Sequence, residues 1–113
     1  MQRVLSEHPG EAGIIVYGWF RRLLGGTPVD HWGAVLVRVD GENRTTLTQV
    51  KRGPMWVGAD VGSHTVEFIV HGEVVRTEHV ELRNGAATLI AFRPPRRLPH
   101  RKPVEWSVRD IPL

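Results

Sequence analysis

Six histidines, twelve carboxylates and three serines carry most of the reactive chemistry open to this 113-residue sequence, because cysteine is absent. His64 and His71 lie seven residues apart in one alternating stretch, and an odd spacing on a strand puts them on opposite faces. His71 and His79 flank a turn and are expected to approach each other across a hairpin, with Glu73 or Glu78 nearby. A metal site needs three or four converging ligands, and no ligand-spacing motif is present. Ser63 beside His64 suggests a nucleophile and its base, but adjacent strand residues point apart, so the pair is not expected to work as a dyad. Neither Ser6, Ser63 nor Ser107 sits in a nucleophile elbow, and Gly25-Gly26 is too short for a phosphate loop. No catalytic residue, metal or cofactor is therefore expected, and the chain does not read as an enzyme.

Recognition is the better-supported chemistry. Four tryptophans serve 113 residues. Trp19 and Trp106 fall in apolar alternating segments and read as core or core edge. Trp32 and Trp56 fall between glycines and prolines, where an indole either caps the core or meets a partner; tryptophan is both well buried on average and enriched at binding hot spots. The second feature is the segment Arg93-Pro-Pro-Arg96-Arg97-Leu98-Pro99-His100-Arg101-Lys102-Pro103. Its prolines favour an extended path with splayed basic side chains, which suits phosphates, an acidic protein groove or an anionic membrane surface. The plainer reading is a solvated connector, since no aromatic residue interleaves the arginines. Residues 1–81 carry eight Lys/Arg and ten Asp/Glu, whereas residues 82–113 carry seven and two. That asymmetry is the clearest functional signal in the composition.

The elements that must position these groups are short strands. The length suits one domain with its own core, and apolar content of 41% with 24% charged residues is ordinary for a globular protein. Twelve glycines and eight prolines favour many turns over long helices. Residues 1–13 read as a loose arm, and 14–113 as a single domain that includes the basic segment 93–103. Ile14 to Phe20 reads as a strand buried on both faces. It follows Glu7 and Glu11 and is far too short to cross a bilayer, so cytoplasmic residence is expected. Ala34 to Val39 turns at Asp40-Gly41 into a return strand at 45–51. Residues 55–60 lead into a central strand, 64–70, with Val66, Phe68 and Val70 on one face. His71-Gly72 turns into 74–82, and Asn84-Gly85 reads as a type I′ turn into 87–92. A last edge strand is expected at 104–108. The sum is an all-β, antiparallel sandwich of about seven strands, immunoglobulin-like or transthyretin-like.

The run Val37-Arg38-Val39-Asp40-Gly41-Glu42, then Val61-Gly62-Ser63-His64-Thr65-Val66-Glu67-Phe68, then Gly72 and Asn84-Gly85, resembles PEGA-type domains. These are small β-sandwich modules with an Asp-Gly hairpin and a Gly-x-His-x-Val strand, and the similarity covers about residues 34–93. The resemblance implies an accessory, non-catalytic interaction domain. The expected function is binding of another protein, acidic for preference, through Trp32, Trp56, Arg93, Arg96, Arg97, Arg101 and Lys102 or through a sheet edge. Nucleic-acid binding through 93–103 is the alternative, and carbohydrate binding by Trp32 and Trp56 a further one. An edge-paired homodimer is open to any such sandwich.

Overall fold

The computed structural model describes residues 8, 10–20, 32–95 and 104–112. Among them are eight strands: β1 (Ala12–Gly18), β2 (Ala34–Val39), β3 (Glu42–Thr48), β4 (Met55–Gly58), β5 (Gly62–Val70), β6 (Glu73–Leu82), β7 (Ala86–Arg93) and β8 (Glu105–Pro112). They form two four-stranded sheets, ordered β4-β1-β7-β8 and β3-β2-β5-β6. No helix is present among the described residues.

Period-two patterning builds the core between these sheets. One sheet contributes Val35, Val37, Val39, Leu47, Val66, Phe68, Val70, Val80 and Leu82; the other contributes Ile14, Val16, Val57, Ile90 and Phe92. Phe92 is the centre of an aromatic group, its ring 5.8 Å from those of Phe20 and Phe68 and 5.2 Å from that of Trp106. Two-residue turns fix the register of the second sheet. Asp40-Gly41 has φ of 51° and 81°, and His71-Gly72 has 51° and 80°, the paired positive values of a type I′ hairpin.

Four expectations need correction. There are eight strands rather than seven, because Met55–Gly58 pairs antiparallel with β1; four residues ending at a glycine give too short a pattern to read. The ladders are not all antiparallel, since β1 runs parallel to β7 from Ala12↔Ala86 to Gly18↔Phe92. Asn84-Gly85 does not close a hairpin: β6 and β7 lie in different sheets, and only Gly85 has positive φ. Its N–H donates to the Glu11 carbonyl at 3.1 Å, so the turn is used to cross between sheets. Ala12 and Gly13, expected in a loose arm, begin β1, and His8 stacks on Trp56 with ring centroids 4.0 Å apart.

Candidate interaction surface

The outer face of the β4-β1-β7-β8 sheet is where the sequence departs from a solvated surface. Ile14 and Val16 point into the core, so alternation sends Ile15, Tyr17 and Trp19 outward. At one end Ile15, Ala87 and Leu89 are buried, with Trp56 and Ile111 packed against them. Trp56 pairs with Ile15 across the ladder, and its indole lies over Gly13, where any Cβ would overlap the ring. At the other end the cover stops. Trp19 is 52% exposed and meets Tyr17 edge-on at 5.0 Å between centroids.

The apolar neighbours of Trp19 place it in the core or at its edge, and the structure puts it outside, on the outer face. The face it occupies is covered only as far as Ile15 and Leu89, so its indole stands in solvent. The Trp19 backbone N–H donates to the Phe92 carbonyl at 2.9 Å, fixing the chain beyond the end of β1. Tyr17, Trp19, Pro54, Leu89, Ala91, Ser107 and Arg109 line an open cleft of about 570 Å³. Ala91 and Ser107, cross-strand partners on β7 and β8, are small and leave the floor low. The Arg93 guanidinium lies over the Trp19 ring at 5.9 Å. Arg109 is exposed and makes no ion pair with a described residue.

The expected contact residues are dispersed. Trp32 is 7% exposed and belongs to the core, tilted against Phe92 at 6.0 Å and Trp106 at 6.3 Å. Trp56, on β4, is on the outer face of the β4-β1-β7-β8 sheet, half-buried beneath His8. The two therefore do not share a platform. Arg93 does lie at the cleft. Arg96, Arg97, Arg101 and Lys102 fall outside the described residues. Tyr17, Trp19, Ser107 and Arg109 are contacts that the sequence reading does not name, although their parity is legible: Tyr17, Ser107 and Arg109 alternate with inward-facing neighbours in β1 and β8, and Trp19 continues the parity of β1 one residue past its end.

A polar cluster holds the β2–β3 turn and the β4–β5 connection against the start of β5. His64 Nδ1 is 2.5 Å from Asp40 Oδ2, and its Nε2 is 2.6 Å from the Asp60 carbonyl. Asp40 Oδ1 also accepts the Thr65 N–H at 2.9 Å. With an acceptor at each ring nitrogen, the doubly protonated imidazolium is the favoured form. The hydrogen bond to Asp40, then that to the Asp60 carbonyl, raises the His64 pKa above its ordinary 6.5. The Thr65 N–H, then His64, lowers that of Asp40. Ser63 turns away from this cluster and donates to Glu81, so Ser63 and His64 serve separate partners. His79 pairs with Thr65, whereas His71 occupies the turn, so the two do not meet across the hairpin. Among the described residues no three or more His, Asp or Glu converge on a point that could hold a metal.

No family model matches the chain, and comparison with known proteins finds no similar curated protein and no similar solved structure. No helix among the described residues is long and apolar enough to cross a membrane.

Proposed function

We propose that this protein is a non-catalytic interaction module that binds a protein partner on the outer face of its β4-β1-β7-β8 sheet. One observation carries the reading: a half-exposed tryptophan stands beside a tyrosine over an open, apolar-floored cleft edged by two arginines. Exposed indole, phenol and guanidinium groups are the side chains most enriched at binding hot spots. The complementary ligand is an apolar or aromatic anchor for the cleft, followed by a carboxylate for Arg109 or Arg93. The basic segment 93–103 begins at Arg93, the last residue of β7, beside the same cleft.

The strand order supports the finer fold reading. An immunoglobulin arrangement sets the first strand beside the second. Here β1 lies between β4 and β7, and β2 between β3 and β5, which favours the transthyretin-like alternative. An accessory role of the PEGA type fits such a module, and a cytoplasmic location agrees with an acidic protein partner.

The test is comparative capture from native lysate with nuclease present, using wild type, Trp19→Ala, Arg109→Ala and Trp56→Phe. A defined protein held by wild type and Trp56→Phe but released by the first two variants supports the cleft. Equal capture by all four removes it. Single-stranded nucleic acid is the second reading, and one contact favours it: Arg93 over Trp19 provides the stacking platform that the linear sequence did not show. Affinity for an oligonucleotide that falls steeply with salt and is lost in Trp19→Ala would put this reading first.

A further inference from the structure

Three of the four sheet edges are blunted. β4 has only four residues. The β2–β3 ladder shifts register at Val37/Arg38, and the β5–β6 ladder shifts at Phe68/Ile69. Bulges and short strands are the usual devices that prevent edge-to-edge pairing. β8 has neither: it runs eight residues, Glu105–Pro112, in unbroken register with β7. Among the described residues no strand neighbours its outer N–H and C=O groups in the sheet. Val108 faces the inner side of the sheet and is still 42% exposed.

We infer that the β8 edge pairs antiparallel with the β8 of a second copy, with Ser107 on the two-fold axis. The register follows from symmetry and charge. A two-fold normal to the sheet keeps each face continuous and pairs residues of equal parity, so the axis must pass through one residue. Centred on Arg109, it sets like charges opposite each other. Centred on Val108, it sets Trp106 opposite Asp110 and Glu105 opposite Ile111. Centred on Trp106, it leaves Glu105 opposite Ser107. Only the Ser107 centre sets Glu105 opposite the partner's Arg109, and Arg109 opposite the partner's Glu105, on the outer face. On the inner face it sets Trp106 against the partner's Val108, twice, and so covers the exposed valine. Within its own sheet Glu105 already faces Arg93, so the pairing extends an alternating ladder of Arg, Glu and Arg across the junction. Opposite charges directly across strands stabilise pairing, and like charges oppose it. The product is one continuous eight-stranded sheet. This inference stands apart from the cleft reading, since it needs no ligand.

Sedimentation velocity over a concentration series tests it. The wild type shifts from 12.7 kDa to twice that mass as concentration rises into the millimolar range. Glu105→Arg and Arg109→Glu each place two like-charge pairs across the axis and weaken dimerisation about tenfold or more. Mixing these two variants restores association, because their heterodimer has both charge pairs attractive again. Both positions are exposed, so circular dichroism of the monomers stays native. Ser107→Cys gives an interchain disulfide on mild oxidation, and in a chain without cysteine no other disulfide can form. A wild type that stays monomeric throughout, a dimer indifferent to both reversals, or variants that do not recover on mixing would overturn the proposal. Loss of cleft binding in Trp19→Ala leaves it untouched.

Discussion

The tryptophans separate fold from function, and truncating two of them gives opposite results. Trp32 is 7% exposed and packs on Phe92 and Trp106 inside the core. Trp32→Ala deletes a buried indole from that cluster and costs roughly 3–5 kcal/mol. A domain of this size has about 5–15 kcal/mol in total, so the variant loses a large share of its stability. Trp19 is 52% exposed, and its ring meets Tyr17 edge-on and lies beneath the Arg93 guanidinium. Trp19→Ala therefore costs roughly 1–2 kcal/mol, a surface substitution plus one aromatic and one exposed cation–π contact. Urea unfolding followed by far-ultraviolet circular dichroism measures both without relying on tryptophan emission. With a slope of about 1–3 kcal/mol/M, Trp32→Ala moves the midpoint down by one molar or more, and Trp19→Ala moves it by a fraction of that. Acrylamide quenching checks the same assignment, because Trp19→Phe removes the most quenchable emission and Trp32→Phe does not. Equal midpoint shifts in the two alanine variants, or a Trp32→Ala protein that behaves as a surface variant, would refute this division of core from surface.

The other expectations are narrower. His64 has a raised pKa and Asp40 a lowered one, and the sign follows from each. The His64 contribution is fully present below its unfolded value of 6.5 and is lost as pH rises through the higher folded value. The Asp40 contribution is present above 3.8 and is lost as pH falls through the lower folded value. The clamp is thus strongest between about pH 4 and 6.5, and thermal unfolding shows a decline above that window. In Asp40→Asn the His64 ring, followed by NMR, titrates closer to 6.5; an unchanged midpoint would show that Asp60 and the nearby Glu42, Glu81, Arg44 and His79 govern it instead. Gly13→Ala forces a methyl group into the Trp56 ring and destabilises by about 1–3 kcal/mol through overpacking. The paired variant Gly13→Ala with Trp56→Leu recovers part of that loss in the same melt, and no recovery would place the strain elsewhere.

Alternation and turn chemistry made most of the second sheet legible. Val35, Val37 and Val39 and then Val66, Phe68 and Val70 gave its inner face, and Asp40-Gly41 and His71-Gly72 gave its hairpins. The first sheet was harder to read because its order depends on contacts remote in sequence. β1 pairs with β7 over some 70 positions, and nothing local in Ala12–Gly18 indicates a parallel partner. The same remoteness hid the His64 clamp, whose Asp40 lies 24 residues away and arrives only through the β2–β5 pairing. Trp19 escapes a core or core-edge reading for a different reason. Composition predicts burial for an aromatic residue in an apolar run, but burial on an outer sheet face depends on what covers it, and cover ends near Leu89. Asn84-Gly85 shows the limit of turn signals: the dipeptide supplies the positive φ that a reversal needs without stating which sheet the next strand joins.

Arg109 is used by both proposals, and that sharing makes them testable together. At the cleft it is a cation with no ion pair among the described residues and would meet a ligand carboxylate; at the β8 edge it would face the partner's Glu105. One guanidinium cannot give its best geometry to two carboxylates, so ligand binding and self-association oppose each other. The opposition is reciprocal: whatever factor dimerisation takes from ligand affinity, saturating ligand must take from the dimer. A ligand titrated against dilute, monomeric protein should therefore bind more tightly than against concentrated protein. Sedimentation with ligand present should show the dimer weakened by the same factor. In Arg109→Lys the point charge remains but the planar fork is lost, so both affinities fall while their opposition persists. Equal ligand affinity at low and high protein concentration would separate the cleft from the edge and leave Arg109 serving only one of them.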